Sequence, residues 1–199
     1  MASSLAVLLS LPVTAQFFVV PQVNVGVPVG TAQEHATSRV GFGAQAGYQL
    51  SPRWSIVAGF DQYRFDVSAD LDDLVEINSF VSNLLNLPEA LGVDMTAQTW
   101  SGGFRYSVPF KGIIPFIGVS GSTNQLTVEG FGINISRRYW GVAPVIGAQL
   151  PLTDRWSLQA DARVQTIFIR DNIPLVQEVV KEHLVYVPLQ LGVTLHVGQ

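Results

Sequence analysis

Five charged residues carry what chemistry this chain could perform. Arg39, Asp61, Arg105, Asp161 and Arg163 each stand on the face of an alternating segment that is otherwise mostly Gly, Ser, Gln, Asn and Thr. Asp161 and Arg163 are two residues apart, so in an extended chain they share a face. Charges gathered away from bulk water have two uses. They can pair and lock a structure, or they can pass a proton or an ion. A paired network is the expected arrangement, with the pathway as the alternative.

The remaining candidates are weaker. His35, His183 and His196 are the 3 histidines, and Glu34 and Glu182 each precede one of them. A base beside a hydroxyl and a carboxylate is what acyl chemistry demands. No His-x-Ser motif accompanies any of the three, so solvated loop histidines are the default and no catalytic residue is assigned. Cysteine is absent, which excludes thiolate zinc sites, disulfides and a thiol nucleophile. Neither a cofactor nor a metal is expected. The 11 Lys and Arg are scattered singly through a chain of net charge -4, which gives no support to nucleic-acid binding.

The elements that must position these residues follow a period of two. Eight alternating segments are predicted: Phe17 to Val29, Ser38 to Leu50, Trp54 to Val67, Ala97 to Val108, Ile113 to Thr127, Arg138 to Leu150, Asp154 to about Ile169, and Leu184 to Val197. In "DRWSLQADAR", Trp156, Leu158, Ala160 and Ala162 oppose Ser157, Gln159, Asp161 and Arg163. The fifth segment is the least regular, because Phe116 falls on its small-residue face. A soluble sheet would turn the apolar face inward, whereas a membrane barrel turns it to lipid. Charged residues make up only 13% of the chain, against roughly a quarter in a soluble domain. The opposite face is also too polar for a dry core.

Two further signals favour lipid outside. The connections alternate short and long, with tight links at Ser51 to Arg53, Pro109 to Gly112 and Pro151 to Asp154, and the longest from Ser68 to Thr96. This is the asymmetry of outer-membrane barrels. The four tryptophans all lie on the apolar face at strand starts. Trp54 and Trp156 follow short turns and Trp100 and Trp140 follow long loops, which places two at each lipid interface. The predicted fold is therefore all-β: an eight-stranded antiparallel up-and-down transmembrane β-barrel with a helical extracellular loop.

That helix is expected at about 69–90. Leu71, Leu74, Ile77, Phe80, Val81 and Leu84 form an apolar stripe at helical spacing, and Asp70, Asp72, Asp73 and Glu76 suit the positive end of a helix dipole. The stripe caps the barrel mouth, lies on the outer leaflet or meets a partner, with capping favoured. At the other end of the chain, the run Leu5 to Leu11 followed by Val13-Thr14-Ala15 reads as a signal peptide over 1–15, leaving 16–199 as the barrel domain.

These features together resemble the small eight-stranded outer-membrane β-barrel proteins, the OmpA-, OmpX- and OmpW-like group. The likeness is carried by "VGFGAQAGYQLSPRWSIVAGFD", "GVAPVIGAQLPLTDRWSLQADAR" and "YVPLQLGVTLHVGQ". The first two share Gly-x-Gln-Leu, a short turn and Arg-Trp-Ser, which reads as one hairpin solution used twice. The resemblance implies a monomer integral to the bacterial outer membrane with its termini in the periplasm. Its partners would be outer-membrane lipids, the barrel-assembly machinery, and an extracellular or protein partner met through the loops. A structural or surface-interaction role leads. A narrow conduit for small or hydrophobic molecules is the alternative, and a lipid-modifying enzyme using His35 or His183 comes last. Members of the group usually end in an aromatic residue, whereas this sequence ends His196-Val197-Gly198-Gln199.

Overall fold

The computed structural model describes residues 16–29, 36–70, 90–130, 133–169 and 183–197. Branched and aromatic residues alternating with small and polar ones suit a pleated wall with two different faces. The strands are β1 (Gln16–Pro28), β2 (Ala36–Gln49), β3 (Trp54–Asp70), β4 (Ala90–Ser107), β5 (Ile114–Gly130), β6 (Ile133–Pro151), β7 (Trp156–Arg163), β8 (Gln165–Phe168) and β9 (His183–Val197). From β1 to β7 each pairs antiparallel with the next, β7 and β8 each pair with β9, and β9 returns to β1 through pairs such as Val23↔Leu191. β7 and β8 both lie between β6 and β9 and form one stave interrupted at Val164, whose N–H bonds the Pro144 carbonyl at 3.1 Å. The result is a closed barrel of eight staves, and closure leaves no free sheet edge.

The two similar sequence stretches do build the same turn, but in a different frame from the shared Gly-x-Gln-Leu. Leu50 N–H bonds Trp54 C=O at 2.8 Å, and Leu152 N–H bonds Trp156 C=O at 2.9 Å. The Ser51 and Thr153 hydroxyls accept the Trp54 and Trp156 N–H groups, each at 3.1 Å. The repeated unit is thus Leu-Ser/Thr-x-Arg-Trp-Ser. At the third turn Gly112 takes φ +89°, which suits a residue without Cβ.

At the opposite end the strands reach further than alternation alone predicts. β3 runs to Asp70 and pairs with Ala90 at the start of β4, so the ends of the span expected to be helical are strand. Residues 71–89, with the whole stripe of Leu71, Leu74, Ile77, Phe80, Val81 and Leu84, lie outside the described residues, as do 1–15 and His35. The expected long loop between the fifth and sixth segments is instead hairpin, with Gly130 paired to Ile133.

The outer wall confirms the inverted face assignment. Trp54, Trp100, Trp140 and Trp156 point outward, and Trp140 is 75% exposed. Outward-facing Phe60, Trp100, Thr123, Trp140 and Phe168 share one register row. On β3 the outward residues before that row are Trp54, Ile56 and Ala58, and after it come Gln62, Arg64 and Asp66. On β4 the corresponding change is from Tyr106 and Phe104 to Gln98, Thr96 and Asp94. The interior changes in the opposite sense. Beyond the same row it holds a cluster of Tyr63, Phe65, Ala97, Leu126, Tyr139, Ile167, Leu184 and Tyr186. The wall therefore has an apolar belt around a polar lumen at one level. Past it, along β3 to β6, lies a polar exterior around an ordinary hydrophobic core, whereas on β1, β2 and β9 the outward face stays apolar further, through Val23, Phe42, Val40 and Leu189.

Candidate functional site: a locked polar lumen

Inward parity on nearly every stave delivers an amide, hydroxyl or charge to the barrel axis. Asp61 is fully buried at its centre, where four donors surround it. Its Oδ1 accepts from Gln22 Nε2 at 2.6 Å, Gln190 Nε2 at 3.1 Å and Asn24 Nδ2 at 3.3 Å. Its Oδ2 accepts from the Arg163 guanidinium at 3.1 Å. The Nε of the same arginine donates to Asp161 Oδ1 at 3.2 Å, and Asp161 Oδ2 accepts from Gln159 Nε2 at 2.9 Å. One guanidinium thus bridges two carboxylates, which are satisfied by amides on their other sides. A buried ion pair needs this completeness to offset its desolvation.

Space for the ions comes from glycine. A Cβ on Gly43, which faces Asp61 across the β2–β3 pair, would collide with the Asp61 carboxylate. On the other side of the network Gln190 also donates to Tyr63 Oη at 2.9 Å, and the Tyr63 and Tyr186 rings meet edge to face at 5.3 Å. The charged layer therefore adjoins the aromatic core beneath the long-loop end.

Towards the short turns sits Arg105, also buried. Its two terminal nitrogens donate to Gln159 Oε1 at 3.0 Å and Gln45 Oε1 at 2.9 Å. Its guanidinium carbon lies 4.0 Å from the Phe116 ring centre and 6.0 Å from that of Phe18, a cation–π setting. Phe116, the irregularity of the fifth segment, is an interior residue in the space left by Gly147, whose Cβ it would strike. Gln45 Nε2 donates to Gln22 Oε1 at 2.7 Å and so ties Arg105 to the Asp61 layer.

Of the five charges singled out by sequence, Asp61, Arg105, Asp161 and Arg163 converge in the lumen and Arg39 does not. Arg39 is paired with Asp66 at 2.6 Å, and its side chain is 57% exposed. The cause is a β-bulge. Arg39 opposes Arg64 and Phe42 opposes Gln62, so Val40 and Gly41 together face the single residue Tyr63. One extra residue reverses the side-chain parity before it and turns Arg39 outward. Sequence reasoning also passed over Gln22, Gln45, Gln159 and Gln190, which make most of the hydrogen bonds. The available signal was glutamine recurring at inward parity on four separate segments.

His183 begins β9 opposite Phe168, and His196 lies at the short-turn end against Phe18, with ring centres 6.1 Å apart. Among the described residues no group of three His, Cys, Asp or Glu side chains is arranged to hold a metal.

The family model for the outer membrane protein beta-barrel domain matches residues 1–195. No curated protein matches the sequence. Among solved structures, the barrel is similar to Neisserial surface protein A, with TM-score 0.59 and 16% identity over 90% of this chain and 96% of that one. It is similar to a major outer membrane protein from Thermus thermophilus, with TM-score 0.59 and 17% identity over 92% and 100%. It is also similar to Ail, the attachment invasion locus protein of Yersinia pestis, with TM-score 0.54 and 10% identity over 92% and 99%. At such identities the likeness is one of fold.

Proposed function

Because the chain belongs to the outer membrane protein beta-barrel domain family, and so to the bacterial outer membrane, we propose that it is a non-enzymatic, closed barrel whose lumen is structural and whose work is done at its long-loop end. The observation that carries this reading is the Asp61–Arg163–Asp161 bridge. It is joined through Gln22, Gln45, Gln159 and Gln190 to β1, β2, β7 and β9, and through Gln45 and Gln159 to Arg105 on β4 and Gln149 on β6. An eight-stranded barrel has an interior just wide enough for side chains to fill. Here the Asp61 layer fills it with mutually satisfied ions, the arrangement that fixes a wall rather than passes a solute.

In this reading the short turns and both termini lie in the periplasm and the longer connections lie outside. The polar wall beyond Trp100 and Trp140 would then raise the long-loop end above the lipid, where a surface partner can reach it. The similar barrels include Neisserial surface protein A and the attachment invasion locus protein Ail, which supports a surface-interaction role.

Planar-bilayer recording of the refolded chain tests the proposal. The parent is expected to give no conductance steps, and an Asp61→Ala, Arg163→Ala double variant is expected to open discrete ones. Steady conductance from the parent would overturn the plugged lumen and leave a conduit in its place.

A further inference from the structure

Donors and acceptors are unequally shared along the lumen. In the Asp61 layer two carboxylates absorb the available N–H groups. At the short-turn end no carboxylate does so. Gln159 Oε1, a neutral oxygen with two lone pairs, faces three donors: Arg105 at 3.0 Å, Gln149 Nε2 at 2.9 Å and the Thr194 hydroxyl at 3.5 Å. Arg105 has no ion pair among the described residues, and the amide oxygens of Gln159 and Gln45 are its partners. His196 Nδ1 is buried with no hydrogen-bond partner among the described residues.

Of these groups Arg105, Gln149 and His196 line one space, with Gln159 and Gln45 behind Arg105. A cavity of about 310 Å³ opens at the short-turn end, with Arg105 at its floor, Gln149, Ser157 and His196 on its walls, and Arg53 and Asp154 on the turns that rim it. Its volume suits a small molecule. Its floor is the desolvated Arg105 guanidinium, whose hydrogen-bond partners are neutral amide oxygens, and burial makes a positive charge without a counter-ion costly.

We propose that this vestibule is a binding site for a small oxyanion, a carboxylate or phosphate group that enters from the short-turn side and is received by Arg105 at its floor. An oxyanion brings the negative charge that the amide partners of Arg105 do not supply. It would take N–H bonds from the Arg105 fork, the geometry that guanidinium matches best, and relieve the crowding at Gln159 Oε1. His196 provides a second contact on the wall. Asp154 stands on the rim, where its charge opposes anions in open solution, so the selective element is the floor. The site lies at the end opposite the loops and does not depend on what those loops recognise.

The test is a side-chain NMR titration of the full refolded chain in non-ionic micelles. Sodium acetate, sodium phosphate and sodium chloride are added separately at matched ionic strength. Acetate or phosphate is expected to move the Arg105 Nε–Hε and His196 ring signals saturably, with half-saturation on the order of 1 mM. The oxyanion that saturates identifies the carboxylate or the phosphate as the preferred group. Arg105→Gln should weaken binding at least ~10-fold, whereas Arg39→Gln, exposed at the opposite end of the barrel, should leave it within about twofold. If Arg105→Gln does not refold, Arg105→Lys keeps the charge without the fork and should lose the preference for oxyanion over chloride. Equal shifts with chloride would show screening alone and overturn the site. So would unsaturable shifts, or an Arg105→Gln variant that binds like the parent.

Discussion

Replacing Asp61 with Asn tests the central claim that the lumen is held by a charge with every oxygen engaged. The side chain keeps its shape, but its negative charge is lost and one of its oxygens becomes an NH2. Because donors press on both oxygens, that NH2 must face either the Arg163 guanidinium or the Gln22, Asn24 and Gln190 amides. Hydrogen bonds to a charged group are worth about 1.5–3 kcal/mol each, and breaking a buried pair costs about 3–5 kcal/mol. Asp161 still holds Arg163 at 3.2 Å, so the expected loss lies at the low end of that range, about 3 kcal/mol. The assay is urea-titrated folding into lipid vesicles, followed by tryptophan emission and by gel mobility of the folded barrel. A double-mutant cycle of Asp61→Asn with Arg163→Met isolates the pair. Its coupling should exceed about 1.5 kcal/mol. The exposed Arg39–Asp66 pair, measured by Arg39→Met and Asp66→Asn, should give below about 1 kcal/mol. The reasoning fails if Asp61→Asn lies within about 0.5 kcal/mol of the parent, the ordinary spread of surface substitutions.

Other perturbations probe the wall. Gly43→Ala puts a methyl group into the Asp61 carboxylate and should cost about 1–3 kcal/mol, while Gly102→Ala, whose Cβ meets nothing within 4 Å, should fall within about 0.5 kcal/mol in the same urea titration. Ile146→Arg sets a cation in the apolar belt, where Ile146 is 64% exposed. It should cost about 2–4 kcal/mol in vesicles. Gln125→Arg, two residues beyond the Thr123 row, should cost less than about 1 kcal/mol, and equal costs would mean that the belt does not contact lipid.

Much of this architecture was legible in the sequence because lipid contact is a strong constraint on pattern. Every second residue of a stave must be apolar, and the outward-facing tryptophans mark the limits of the belt. The charges at Asp61, Arg105, Asp161 and Arg163 could be assigned to the lumen by parity alone. Arg39 could not, because the bulge that turns it outward is an added residue of backbone with no residue type of its own. The extension of β3 and β4 past the expected loop was hidden for a different reason. From Gln62 onward the alternation continues with its sense reversed, Tyr63 and Phe65 now pointing in and Arg64 and Asp66 out. The third segment was still carried to Val67, but a search for outward apolar residues began the fourth only at Ala97, where β4 starts at Ala90. The glutamines were unremarkable singly and acquire a role only when closure brings Gln22, Gln45, Gln159 and Gln190 to one axis.

The bridging arginine has a consequence for how the chain finds its own ends. Slipping one strand against its neighbour by a single residue turns its lumen face toward lipid and is rejected outright. A slip of two is harder to detect, since every side chain keeps its proper face and the ladder can re-form. Only the contents of the interior then distinguish right from wrong. Asp61 arrives early in the chain with Gln22 and Asn24 nearby, while Arg163 and Gln190 come from the far end and reach it last. At the correct alignment of β1 with β9 they meet, and two residues away they leave an ion buried without its partner. The polar lumen is thus an error check on closure, one that the apolar exterior, repeating every two residues, is unable to supply.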